Sequence, residues 1–93
     1  MEVGFTVRYA KEVVQEDIPS LPKVWRGKIQ SDIEQKLTSE PELFGKPLRR
    51  SLRGYRRLRV GDYRVVYRIE KRSVLVFAIL HRSIVYKEFE KRI

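Results

Sequence analysis

The sequence predicts a single α+β domain spanning residues 1–93: an antiparallel sheet with N-terminal helices packed on one face, in the order β-α-α-β-β-β-(α). Three observations predict it. Leu21, Trp25, Ile29, Ile33 and Leu37 recur every four residues, an amphipathic helical stripe. Residues 55–60 and 63–69 alternate about the two-residue loop Gly61-Asp62, a hairpin. Val74-Leu75-Val76-Phe77-Ala78-Ile79-Leu80 is apolar throughout, as a central strand buried on both faces would be. Helical periodicity therefore precedes a run of strands.

Taken in order, residues 3–9 place Val3, Phe5, Val7 and Tyr9 on one face and Gly4, Thr6 and Arg8 on the other, a half-buried strand. A short helix follows from Ala10 to Ile18. Pro19-Ser20-Leu21-Pro22 breaks it, with Ser20 placed to cap the next helix and Pro22 to occupy its first turn. That helix runs from Leu21 to Leu37, Val24 broadens its stripe, and Trp25 is assigned to the core. Glu40-Pro41 ends it. Residues 40–54 show no period and read as a loop carrying Lys46, Arg49, Arg50 and Arg53. Gly61-Asp62 fits a type II′ turn. From Val85 to Ile93, charge alternates around Phe89 and Ile93, a strand end followed by a short helix.

Composition narrows the function. Lys plus Arg number 21 against 12 Asp plus Glu, a net charge of +9. That excess points to a polyanionic partner. No cysteine is present, which removes disulfides and thiolate metal sites and fits a reducing, cytoplasmic setting. No signal peptide and no span of ~18 apolar residues is visible, so no membrane association is expected. No Gly-rich phosphate loop, paired carboxylates, metal-ligand cluster or Ser/His/Asp set appears, so neither a cofactor nor a small-molecule substrate is expected. The single histidine excludes a two-histidine ribonuclease.

The hairpin sharpens the charge argument. Across a two-residue loop Val60 faces Tyr63, Arg59 faces Arg64, Leu58 faces Val65 and Arg57 faces Val66, and opposed residues share a sheet face. Leu58, Val60, Tyr63, Val65 and Tyr67 then form the core face, with Arg56 at its edge. Tyr55, Arg57, Arg59, Arg64, Val66 and Arg68 form the other. Like charges directly across strands cost roughly 0.2–1 kcal/mol per pair. Phosphate, which arginine engages bidentately, compensates for this. The bland alternative is a solvated basic face, with His81 a surface histidine and Tyr86 a packing residue. The same parity, carried through the turn at 70–73, places Leu75, Phe77, Ile79 and His81 on the arginine face, with Arg82 and Tyr86 just beyond.

Residues 54–67, Gly-Tyr-Arg-Arg-Leu-Arg-Val-Gly-Asp-Tyr-Arg-Val-Val-Tyr, followed by His81-Arg82 and Val85-Tyr86, resemble the RelE/ParE superfamily of bacterial and archaeal toxins. The resemblance covers nearly the whole chain. It implies a RelE-like fold and a cognate acidic, RelB-like antitoxin. It implies a type II toxin that cleaves mRNA in the ribosomal A site by 2′-hydroxyl attack, an endoribonuclease of the mRNA interferase kind. The implied catalytic set is Arg57, Arg64, His81, Arg82 and Tyr86. Arg64 stabilises the phosphate, the C-terminal basic residue is His81 or Arg82, and Tyr86 orients or stacks on a base. Lys46, Arg49, Arg50, Arg53, Tyr55, Arg59 and Arg68 are the candidate RNA-binding residues. Arginine cannot act as a base at neutral pH, which leaves His81 as the proton carrier. One branch of the family places a glutamate base before a Pro-Leu pair, but here Lys46 precedes Pro47-Leu48. The alternatives are a ParE-like inhibitor of DNA gyrase and a non-catalytic basic RNA- or ribosome-binding protein.

Overall fold

The computed structural model describes residues 4–93. Among them β1 (Thr6–Tyr9), β2 (Lys46–Pro47), β3 (Arg56–Val60), β4 (Tyr63–Glu70) and β5 (Ser73–His81) form one sheet, ordered β1-β5-β4-β3-β2. Val3 lies outside the described residues. The α+β class is as the sequence predicts, and the pairs β2–β3, β3–β4 and β4–β5 are antiparallel. β1 departs from that pattern, pairing parallel with β5 from Thr6↔Ser73 to Tyr9↔Val76. Everything between β1 and β5 acts as the crossover such a parallel pair requires.

After β1 the chain is helical through a π-helical stretch, Val13–Asp17, into α1 (Ile18–Ser20). This outruns the expected end at Ile18. Ser20 is not a cap; its hydroxyl donates back to the Glu16 carbonyl at 2.7 Å. Pro22 takes the cap position of α2 (Lys23–Asp32), which continues into a second π-helical stretch, Ile33–Leu37. The period of four has a physical reading here. Four residues overshoot a 3.6-residue turn, so the stripe drifts around an α-helix. The wider π turn brings it back, and Leu21, Ile29, Ile33 and Leu37 all end buried. Val24 does not join them, being 79% exposed, and Trp25 is only partly buried.

These helices cover one sheet face, where Leu58, Val60, Val65, Tyr67, Val74, Val76 and Ile79 meet them. Each large apolar side chain so buried contributes roughly 1.5–3 kcal/mol. The segment read as a loop at 40–54 is more ordered than expected. It holds α3 (Pro41–Phe44), β2 and a 3₁₀ turn at Arg50–Leu52. Arg56 points toward α3 and donates to the carbonyls of Glu42 and Gly45, both at 3.1 Å. The Tyr67 hydroxyl donates to the Pro41 carbonyl at 2.6 Å, and burial pushes that phenol up to about 12.

The opposite face is not bare. The C-terminal helix α4 (Val85–Glu90) lies on it, and Val85 and Phe89 join Leu52, Val66 and Ala78 in a second small core. Helices therefore lie on both faces, the N-terminal ones on one and α4 on the other.

The hairpin register agrees with the parity argument, Arg57↔Val66, Leu58↔Val65, Arg59↔Arg64 and Val60↔Tyr63. Gly61 has φ +59° and Asp62 lacks positive φ, the pattern of a II′ turn. Parity holds through Leu75 and Phe77, which lie on the arginine face as expected, and fails for Ile79 and His81. β4 pairs Val66 with Ala78 but Tyr67 with Val76, so Phe77 is the extra residue of a β-bulge. The bulge reverses facing for the end of β5. Ile79 opposes Val65 on the helix-covered face, and His81 opposes Tyr63 rather than joining the arginine row. Hydrophobic pattern alone does not mark a bulge inside a wholly apolar strand.

Candidate functional site

The site begins where β2, β3 and β4 present their cations. Lys46 lies directly opposite Arg57, and Arg59 opposite Arg64, all on the face that carries α4. Arg64 is fixed by its own turn. One guanidinium nitrogen donates to the carbonyls of Gly61 and Tyr63, both at 2.9 Å. Its ordinary value is pushed down, first by burial and then by Arg59, Arg57 and Arg82, with Tyr86 opposing. A guanidinium in that position is short of counter-charge, the condition an incoming phosphate relieves.

Tyr86 sits in the first turn of α4. Arg57 donates to the Tyr86 hydroxyl oxygen and its guanidinium lies 5.9 Å from the ring centre. With its oxygen accepting from Arg57, the Tyr86 O–H hydrogen is free to be donated elsewhere. Arg82 is tied to the hairpin turn. Its N–H donates to the Asp62 carbonyl at 2.8 Å, and its side chain lies 3.6 Å from the Asp62 carboxylate.

His81 reaches this place by a route the sequence argument missed. It lies on the far side of the sheet, edge-on to Tyr63 with ring centres 5.5 Å apart, but at the strand's last residue it still borders the arginine cluster. The Ser83 N–H donates to His81 Nδ1 at 3.1 Å, and the Ser83 hydroxyl is 2.9 Å from the same nitrogen. A backbone N–H can only donate, so Nδ1 is the acceptor and the neutral ring carries its hydrogen on Nε2.

Arg57, Arg64, His81, Arg82 and Tyr86 thus line one open depression of about 450 Å³, with Ser83. No carboxylate is among its described lining residues. A larger groove of about 830 Å³ adjoins it through Arg57 and Tyr86, with Lys46, Arg49, Arg50 and Arg53 around Pro47, Leu48 and Leu52. Arg50 there holds φ +60°, a conformation of order 1–3 kcal/mol in cost for a residue with a side chain.

The remaining candidates divide. Arg59 is exposed beside Arg64. Tyr55 is packed edge-on against Phe77 and Phe89, and Arg68 lies over Tyr55 and Phe77 and pairs with Glu70. Both belong to the second core rather than to the groove. The sequence reading missed Ser83 and Asp62, which hold His81 and Arg82; their only signal was closeness in sequence or across a turn.

The fold, one five-stranded sheet with helices on both faces, is that of a RelE/ParE-like toxin of a toxin–antitoxin system. Residues 8–86 match the family described as ParE toxin of type II toxin–antitoxin system, parDE, and the chain belongs to that family. It is 34% identical over 85 residues to Toxin RelG of Mycobacterium tuberculosis, covering 89% of this chain and 97% of RelG. It superposes on a chain of the RelBE2 toxin–antitoxin complex from the same organism with a TM-score of 0.80 and 34% identity, over 86% of this chain and all of that one. The RelB–RelE complex of Methanococcus jannaschii gives a TM-score of 0.67 at 27% identity, over 87% and 96%.

Proposed function

We propose that this toxin is an endoribonuclease that cleaves mRNA on the ribosome. The observation that carries the reading is the convergence of three arginines, a tyrosine with a donatable proton and the one histidine on a single open depression. The basic groove beside it suits the flanking phosphates.

In the proposed reaction the 2′-hydroxyl attacks the adjacent phosphorus. The 2′-O–P bond forms, the P–O5′ bond breaks, and a 2′,3′-cyclic phosphate and a 5′-hydroxyl result. Arg64, Arg57 and Arg82 stabilise charge on the phosphorane. Tyr86 donates its proton to the leaving 5′-oxygen. His81 accepts the 2′-hydroxyl proton, which requires Nδ1 to give up Ser83 or the ring to turn. A free chain so equipped is a poor nuclease. That supports dependence on the ribosome to orient the RNA. The action is cytoplasmic. An acidic, RelB-like antitoxin that covers the basic surface completes the system, a partnership supported by the RelB–RelE complexes among the structural relatives.

The match to the ParE family favours a second reading, inhibition of DNA gyrase. Arg64→Ala and His81→Ala separate the two. Loss of ribosome-dependent cleavage and of toxicity in both supports the nuclease. Toxicity that survives both substitutions sinks it.

A further inference from the structure

One buried charged pair is used by nothing above. Asp17, 3% exposed, ends the first π-helical stretch, and Arg92 follows α4. They meet in a two-pronged pair, Arg92 Nη1 to Asp17 Oδ2 at 2.8 Å and Nη2 to Oδ1 at 2.7 Å. An ion pair alone would not need this place. Beyond pairing, Arg92 Nη1 donates to the Phe77 carbonyl at 3.0 Å, and Asp17 Oδ2 accepts the Ile79 N–H at 2.9 Å.

The first of these groups belongs to the bulged residue itself, Phe77, and the second lies two residues on, so the two bracket Ala78. β1 stops at Tyr9, and the last contact of that edge is Ala10 N–H to Val76 C=O. Past that point, among the described residues, β5 has no strand beside it on that edge, and a buried backbone group there must find another partner. Asp17 accepts from one and Arg92 donates to the other. The pair therefore takes the place of a neighbouring strand from the bulged residue to Ile79. The bulge decides which face His81 takes, two residues beyond Ile79. Arg92 at the same time ties down the end of α4, whose start presents Tyr86 to Arg57.

We propose that Asp17 and Arg92 are positioning residues, a clamp that fixes the β5 bulge and α4 and so sets His81 and Tyr86 against the arginine cluster. The consequence for turnover rests on the nuclease reading; the structural consequence does not.

The chemistry of the clamp distinguishes it from simple charge pairing. Arg92→Lys loses the two-pronged fork but keeps one charged donor for Asp17 and Phe77, so it retains part of the turnover that the exchanged pair loses. The exchanged pair Asp17→Arg with Arg92→Asp keeps opposite charges but has no acceptor for Ile79 N–H and no donor for Phe77 C=O, so it does not rescue. Asp17→Asn with Arg92→Met removes the pair and keeps an acceptor at residue 17. Folded fraction is measured for each by circular dichroism, and kcat and KM are measured on ribosome-bound mRNA per folded molecule. Amide exchange at Ile79 and the His81 and Tyr86 ring resonances are followed by NMR.

The clamp requires that the exchanged pair lose Ile79 protection, shift both ring resonances and lower kcat by tenfold or more with KM little changed. It also requires that Arg92→Lys fall between wild type and the exchanged pair on every readout. Folded exchanged protein with unshifted rings, or with kcat within twofold of wild type, overturns the proposal. If the exchanged pair does not fold, Asp17→Asn with Arg92→Met is judged by the same criteria for the rings and kcat. If the wild-type chain cleaves nothing on ribosomes, the nuclease reading fails, and the ring resonances and Ile79 exchange still decide the clamp.

Discussion

Replacing Gly61 by alanine tests how the hairpin turn, the core and the arginine cluster are joined. Gly61 holds φ +59°, and a Cβ there would come within 2.2 Å of the Trp25 ring edge. The left-handed conformation costs an L residue roughly 1–2 kcal/mol. The collision adds about 1 kcal/mol, the low end of overpacking, because the partly exposed indole can swing outward. The sum is about 2–3 kcal/mol in a domain whose whole stability is about 5–15 kcal/mol. For a domain of this size that lowers the melting temperature by about 10–20 °C. The assay is thermal and urea unfolding of Gly61→Ala, Trp25→Ala and the double variant. Trp25→Ala removes the collision but not the strain, so alanine at 61 should cost about 1 kcal/mol less in that background. A cost below about 0.5 kcal/mol on the scale of ordinary surface changes, or the same cost in both backgrounds, refutes the reasoning.

Three further outcomes are expected. Arg56→Ala loses the hydrogen bonds to Glu42 and Gly45 and should cost about 1–3 kcal/mol of stability with no change in RNA affinity, whereas its neighbour Arg57→Ala should weaken RNA binding; unfolding and filter-binding measurements check the pair. RNA affinity should fall steeply with salt, and Arg49→Ala and Arg53→Ala should each reduce the log–log slope by about 1 on the phosphate-contact scale; titrations across a salt series that show a flat response would exclude phosphate contacts. Tyr67, raised from 10.0 to about 12, binds its proton more tightly folded than unfolded, so its contribution is complete below pH 10 and is lost as pH rises from 10 through about 12; an alkaline unfolding series should show Tyr67→Phe missing that part of the decline.

The arginine-bearing hairpin was legible because a two-residue turn and strict alternation determine both register and facing. From Leu58 to Tyr67 every residue lies on the face its parity requires. β5 was legible as a buried strand, but not in its facing past Phe77, since a bulge in an unbroken apolar run leaves no trace in hydropathy. That bulge moved His81 across the sheet and left it at the site only because the strand ends there. β2 was hidden by its shortness and its proline, and α3 by its four residues. Tyr55 and Arg68 share a face with Arg57 as predicted, but α4 covers that end of the sheet, and a short C-terminal helix gives no sign of which face it will take. The Asp17–Arg92 pair joins residues 75 positions apart, a separation at which nothing in the sequence links them.

The central claim is that the depression lined by Arg57, Arg64, His81, Arg82 and Tyr86 cleaves RNA presented by the ribosome. The most direct measurement incubates the purified chain with mRNA-programmed ribosomes, with the same RNA alone, and with gyrase and relaxed plasmid, and maps RNA ends by their chemistry. The account predicts new 5′-hydroxyl and 2′,3′-cyclic phosphate ends on the ribosome-bound message, few on free RNA, none with Arg64→Ala, and unimpaired supercoiling. Intact message on the ribosome together with blocked supercoiling would contradict it.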